Sequence, residues 1–469
     1  MSGAKRPVRT RALRAFAPGC LVPLLLALVW APAYGTPEDG LNDALILLRD
    51  MPMDEVYRFL DEWEEKGAWL PHIYPPNLVI GDLPADLDPE LRADRRVDAL
   101  YRKPMTAFEK SAAPAAWSEI ITSWLIEEER APMKRLHEKS NATWDELGVH
   151  TVTKPRIDRS DYAGISKTQT GHDRRFGRLV GGDIFNTSEW VLGRSAVGII
   201  LPETAGASHS SAERSAVYEE VRAAFGFIAA KVRGYPRAQF VYDIPIAATT
   251  TRNFFRTPPD HDESDWVKET MASIGYHWEV KGIGAEPVWE YIDTLRTNYQ
   301  TEWGITLFLP KLSYFPGAGY TAYAYLGGPY LVAPSGGGGF VGQGNPTTLS
   351  GLIVHEGGHL FYTLDEYASG GTSTPCRAVS GYLAVPNSNS LNQDWTCKPH
   401  VSCAMASPSG NLCSYSLGQM ASVDSDSDGI ADVIDTHPVV RMFAIPDTIE
   451  TTTPVWAGST QVLPLISQA

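Results

Sequence analysis

The sequence predicts an α+β or α/β chain, on three observations. Residues 196–310 alternate apolar β-type runs with amphipathic helical stretches, the order that builds a mostly parallel sheet flanked by helices. Residues 352–364 place apolar side chains around two histidines spaced i and i+4, which reads as a helix with one side buried. Residues 36–190 carry helical patterns broken by prolines, and so read as a mainly helical N-terminal region. A hydrophobic fraction of 43% and a charged fraction of 20% are those of a globular protein, and 469 residues can hold two or three domains.

Taken in order, residues 1–35 read as a secretory signal, which implies a secreted chain. Lys5, Arg6, Arg9, Arg11 and Arg14 precede an apolar run over 21–30, and the small residues Ala31, Ala33 and Gly35 follow. That run is too short to span a bilayer, and no other segment is long and apolar enough. Losing this segment moves the formal charge from −15 to −20. So acidic a chain does not track phosphate backbones, which need clustered Lys and Arg, so nucleic acid is excluded as a partner.

Within 36–190, residues 41–51, 54–66 and 117–138 have helical periodicity, and Pro75, Pro76, Pro84 and Pro89 interrupt it. Residues 141–181 are polar and turn-rich, with Arg156, Arg159, Arg174, Arg175 and Arg178. They read as an exposed linker that a processing protease could cut. The region 36–190 is then either a pro-segment that covers a cleft until removed, as in a zymogen, or a permanent accessory domain.

Residues 191–420 form the next domain. Stretches 196–202, 240–246 and 306–310 read as strands, and 211–232 and 288–300 as helices. Ala322, Tyr323, Ala324, Tyr325 and Leu326 alternate small and aromatic residues, as an edge strand does. Glycines 336–339, 342 and 344 make a loop before the next helix, without the Lys and Ser or Thr that phosphate binding needs.

Chemistry concentrates in residues 355–367, HEGGHLFYTLDEY. On a helix, His355 and His359 leave one face a turn apart, so two neutral imidazoles can meet one Zn²⁺ at about 2.0–2.1 Å. Glu356, next to the first ligand, is the candidate general base and later proton donor. A catalytic zinc site takes a third protein ligand. No Glu lies between Glu366 and Glu450, which disfavours a glutamate on a later helix. Asp365, ten residues after His355, stands at the spacing of a ligand placed just past the helix end, with Glu366 the alternative.

HExxHxxxxxDEY resembles the metzincin metalloproteases, most of all the bacterial immune inhibitor A-type and IgA-peptidase-type members. The resemblance implies a zincin catalytic domain with a mixed five-stranded sheet and an active-site helix. It implies a Met-containing turn beneath the metal, which Ser402-Cys403-Ala404-Met405 resembles, with Met405 as an apolar floor. It also implies that residues 322–326 bind an extended peptide substrate by strand addition. One departure stands out. Members of that family have Gly seven residues after the first His, where φ is positive; this chain has Tyr362.

Residues 421–469 hold a second motif and a short β unit with apolar runs at 439–445 and 461–466. Asp424, Asp426, Asp428, Asp432 and Asp435 occupy positions 1, 3, 5, 9 and 12 of an EF-hand-type loop, with Gly429 at 6 and the Ile430 carbonyl at 7. Five carboxylates in so short a span repel one another without a hard cation, so Ca²⁺ is expected. Cys376, Cys397, Cys403 and Cys413 remain after the signal and read as two disulfides of open pairing; zinc ligation by the thiolates is the alternative.

The expectation is therefore a secreted zinc-dependent endopeptidase acting on proteins or peptides, with Tyr367 or Tyr415 as candidates to help stabilise the oxyanion. The alternative is a non-catalytic calcium-dependent surface or adhesion protein on a zincin-like fold.

Overall fold

The computed structural model describes residues 43–126, 144, 150–157, 184–232, 236–244, 246–251, 263–277, 285–311, 321–335, 340–342, 345–367, 378–389, 401–408 and 411–435. The expected signal segment, Cys376, Cys397, the glycines at 336–339 and the apolar runs of the tail lie outside them. The strands used below are β1 Asp43–Leu48, β2 Trp69–Tyr74, β3 Leu78–Asp82, β4 Val97–Arg102, β5 His150–Lys154, β6 Gly193–Glu203, β7 Ala238–Tyr242, β8 Ile246–Thr249, β9 Trp303–Phe308, β10 Thr321–Tyr325 and β11 Tyr330–Val332. The helices used below are α1 Met53–Glu64, α2 Ser211–Lys231, α3 Glu263–Ser273, α4 Glu286–Tyr299, α5 Leu349–Leu360 and α6 Ser414–Gln419.

The mixed α/β expectation holds, and the central strands pair in parallel. β6 lies between β7 and β9, both parallel to it, and its second half also pairs with β8. Its residues are buried almost throughout. Val197, Ile199 and Leu201 enter the core on one face, Ala196 and Ile200 the core on the other. A strand covered on both faces reads as a continuous apolar run, as this one does. α2 and α5 pack on the first face, α3 and α4 on the second. α2 begins with a capping box: Ser210 Oγ accepts from the Glu213 N–H, and Glu213 Oε2 accepts from the Ser210 N–H.

Two expectations are corrected here. The sheet is larger than the five strands expected. Among the described residues eleven strands form it, in the order β4-β1-β3-β2-β7-β6-β9-β11-β10-β5, with β8 branching from β6. The N-terminal region is not mainly helical either. Residues 41–51, expected as a helix, contain β1, while α1 and the described residues 118–126 of the expected 117–138 helix are helical. The physical reason is two-sided burial. Leu45 and Leu47 join one core while Ala44, Ile46 and Leu48 join another, so the run is apolar at every position and its periodicity does not separate strand from helix.

These strands also share pairing and core with the rest of the sheet. β2 pairs in parallel with β7, with His72 opposite Phe240 and Ile73 opposite Val241. Leu45, Tyr74, Leu78 and Ile80 share a core with Val217, Phe225 and Leu352. Stripping β1–β4 would expose a continuous apolar face at roughly 1.5–3 kcal/mol per large side chain. The described residues of the expected 141–181 linker also contain structure: Trp144 is fully buried and residues 150–154 form β5.

Candidate metal centre

α5 carries the first two candidate ligands. Thr348 caps it by accepting from the Gly351 N–H at 3.1 Å, and Leu352, Ile353 and Leu360 bury its inner face. Gly358 is required by close approach. A Cβ there would lie 2.5 Å from Thr363 Oγ1 and 2.9 Å from Met405 Sδ, so its absence lets the methionine reach the helix beneath the histidines. Met405 is fully buried, and its carbonyl accepts from the Glu366 N–H at 3.0 Å.

The helix ends in a Schellman turn. The Thr363 N–H donates to Gly358 O and the Tyr362 N–H to His359 O, with Tyr362 between them in the left-handed region at φ 71°. Tyr362 thus adopts the backbone conformation that glycine serves in the resembled family. Past it the chain doubles back, and Asp365 returns to the face that bears the histidines. Asn387 holds the Asp365 carbonyl at 2.9 Å, and Gln419 Oε1 accepts from the Leu364 N–H at 2.9 Å.

Three atoms meet there. His355 Nε2 and His359 Nε2 are 3.2 Å apart, and each is 3.2 Å from Asp365 Oδ1. His355 Nδ1 donates to Ala404 O at 3.0 Å and His359 Nδ1 to Thr363 O at 2.7 Å. A carbonyl only accepts, so each neutral ring turns an Nε2 lone pair to the centre. Burial lowers the pKa of His355, in favour of that neutral form. Among the described residues Asp365 Oδ1 has no hydrogen-bond donor.

Three electron-pair donors facing one another without a proton repel, and a cation between them removes the conflict. The spacing fits one. Tetrahedral bonds of about 2.0–2.1 Å put neighbouring donor atoms about 3.3–3.4 Å apart. Glu366 is not part of this set. Its carboxylate points to Asn389, Cys413 and Ser416, so of the two adjacent acids Asp365 is the one that meets the histidines.

Glu356, on the same helix, is fully buried, and neither carboxylate oxygen has a hydrogen-bond partner among the described residues. Burial, with the Asp365 charge beside it, pushes its carboxyl well above the usual range. Tyr367 packs its ring 5.8 Å from that of His355. Tyr415, the other tyrosine expected near the oxyanion, packs instead against Cys403, Met405 and Cys413.

Two contacts from the N-terminal region were not anticipated. Thr153 Oγ1 donates to Asp365 Oδ2 at 2.5 Å and lies 2.9 Å from His359 Nε2. Trp144 sets its ring 5.1 Å from His355, donates Nε1–H to Ala404 O at 2.8 Å, and donates its backbone N–H to Ala406 O at 3.2 Å. The expected open edge at 322–326 is corrected accordingly. β10 pairs antiparallel with β11 on one side and parallel with β5 on the other, with Ala324 opposite Thr153 and Tyr325 opposite Lys154. The Leu326 N–H donates to Lys154 O. Lys154 Nζ sits 4.0 Å from the Tyr323 ring centre, a buried cation–π contact. A tryptophan inside an otherwise polar stretch was the one sequence signal for this segment.

In the acidic loop, Asp424, Asp426 and Asp428 bring carboxylate oxygens within 4.8 Å of one another. Gly429 has φ 93°, and its N–H donates to Asp424 Oδ2 at 2.9 Å, which is the sharp turn expected of it. Asp424 Oδ1 is buried without a hydrogen-bond partner among the described residues. Asp432 is not in that cluster: it accepts from the N–H and Oγ of Ser425 at 2.8 and 2.6 Å. Ile430 is exposed, and Asp435 likewise stands outside the three-carboxylate group. The disulfide expectation is corrected where it can be seen: Cys403 and Cys413 are free and buried. No described helix is long and apolar enough to cross a membrane. Compared with known proteins, this chain matches no family model, no curated protein and no solved structure.

Proposed function

We propose that this chain is a secreted zinc-dependent endopeptidase, seen here in a latent arrangement. The observation that carries the reading is the meeting of His355 Nε2, His359 Nε2 and Asp365 Oδ1 at mutual distances of 3.2 Å, with an unpaired Glu356 carboxylate on the same helix. Zn²⁺ in such a site supplies a Lewis acid that polarises a carbonyl and acidifies water. Glu356 takes a proton from the attacking water on a carboxylate oxygen and returns it to the leaving amine. Its poor solvation favours that role, because a carboxylate denied hydrogen bonds is a stronger base. Ala404 O and Thr363 O fix the ring orientations of the two histidines, and Met405 fills the space below them.

Latency is supported by Trp144 and residues 150–154. β5 lies on the strand edge where a peptide would add, and the Thr153 hydroxyl lies among the ligand atoms. Loop 424–435 fits a structural Ca²⁺ site. The same filled edge favours the second reading, a non-catalytic calcium-dependent surface protein. Glu356→Gln decides between them. Casein hydrolysis, measured before and after limited proteolysis, should fall by roughly 10²- to 10⁴-fold in the variant with bound zinc unchanged. Undiminished turnover in Glu356→Gln, or no chelator-sensitive hydrolysis by the wild-type chain under either condition, defeats the protease reading.

A further inference from the structure

The acid beside the third ligand builds a site of its own. Glu366, Cys403 and Cys413 bring an oxygen and two sulfurs within 4.8 Å of one another, all buried. Cys413 Sγ lies 3.0 Å from Glu366 Oε1. Ser416 Oγ lies 3.1 Å from the same oxygen, 3.2 Å from Cys403 Sγ and 3.5 Å from Cys413 Sγ. Four donor atoms therefore surround one point. A tetrahedral ion with Zn–S bonds of about 2.3 Å and Zn–O bonds of about 2.0–2.2 Å sets its donors roughly 3.3–3.8 Å apart. Three of the four separations, 3.0, 3.1 and 3.2 Å, fall just short of that range and the fourth, 3.5 Å, lies within it, as for a cluster closed by hydrogen bonds that needs only slight expansion to admit the ion.

We propose that Glu366, Cys403, Cys413 and Ser416 form a second divalent-metal site of thiolate–carboxylate type, distinct from the histidine centre and structural in role. The donor set is zinc-like, since two soft thiolates exclude Ca²⁺ and Mg²⁺. Four protein donors leave no open position, the mark of a structural site. Its surroundings are prepared as metal sites are. Asn389 Nδ2 donates to Glu366 Oε2 at 2.7 Å, and the Ser416 N–H donates to Cys413 Sγ at 3.4 Å, so donors outside the set orient the carboxylate and one sulfur.

The site also explains why a long loop holds its register under the first centre. Glu366 follows Asp365 directly. Cys403 lies two residues before Met405 and one before Ala404, whose carbonyl orients His355. An ion at this point would tie the end of the ligand-bearing turn to the floor beneath it, and it stands whether or not the histidine centre hydrolyses anything.

The test is metal binding by the full chain. Apo protein is titrated with Co²⁺ and with Zn²⁺ in wild type, His355→Ala, Cys403→Ser and Cys413→Ser, with the loaded metal counted by mass spectrometry. Wild type should bind two equivalents of zinc. His355→Ala should lose one and keep a thiolate-to-cobalt charge-transfer band in the near ultraviolet; each cysteine variant should lose that band and keep the other equivalent. Should the cysteine variants fail to fold, Ser416→Ala should retain the thiols and bind cobalt at least tenfold more weakly at this site. No charge-transfer band in wild type or His355→Ala overturns the proposal. So does alkylation of unfolded, unreduced protein that leaves Cys403 and Cys413 unmodified, because their sulfurs are then held in disulfides.

Discussion

Tyr362 offers a sharp test of how the third ligand is delivered. It holds the left-handed position of the turn after α5, at φ 71°, which costs a residue with a Cβ about 1–2 kcal/mol. Glycine avoids that cost but gives back about 0.4–1 kcal/mol in unfolded-chain entropy. On the backbone alone, Tyr362→Gly should then exceed Tyr362→Ala in stability by about 1 kcal/mol. The tyrosine ring offsets its own strain. It fills the space over Gly327, where a Cβ would lie 2.4 Å from the ring, and its centre is 5.4 Å from the Arg156 guanidinium. Half-burial of the ring and the cation–π contact together supply about 1–2 kcal/mol. Wild type and Tyr362→Gly should therefore nearly coincide, with Tyr362→Ala the least stable of the three. Guanidinium unfolding of the metal-free chains, at equal m-values, reads the order. Tyr362→Ala matching or exceeding Tyr362→Gly would mean that the turn is not left-handed, and the route that brings Asp365 to the histidines would be wrong.

Two further outcomes follow from the same geometry. Trp144→Ala removes a fully buried side chain at about 3–5 kcal/mol and with it the ring contact to His355; the rate of peptide hydrolysis should rise at least tenfold while the melting temperature falls, and a fall in both contradicts the latent arrangement. Calcium at a hundredfold excess over its dissociation constant should stabilise the chain by about 2.7 kcal/mol, and Asp424→Ala with Asp428→Ala should abolish that gain; a melting temperature unmoved by calcium in wild type contradicts the loop assignment.

The histidine pair was legible because helical periodicity dictates where i and i+4 side chains point. Asp365 was legible as a spacing, but its precedence over Glu366 was not. That depends on a five-residue turn and on Glu366 finding two thiols and a serine more than thirty residues away in sequence. β1 was misread because each of its faces meets a different core, and a run that is apolar throughout has no period to read. β5 was hidden for the opposite reason. Its identity as a strand rests on pairing with β10, some 170 residues later, and a polar pentapeptide holds no local sign of such a partner. Thr153 joins the centre only through that long-range register.

Crystals of the zinc-loaded chain, measured on both sides of the zinc absorption edge, test the histidine–aspartate centre most directly. An anomalous peak should lie about 2.0–2.2 Å from His355 Nε2, His359 Nε2 and Asp365 Oδ1 together. A peak held by Glu366 in place of Asp365, or no peak between the histidines while zinc is present in the crystal, would contradict it.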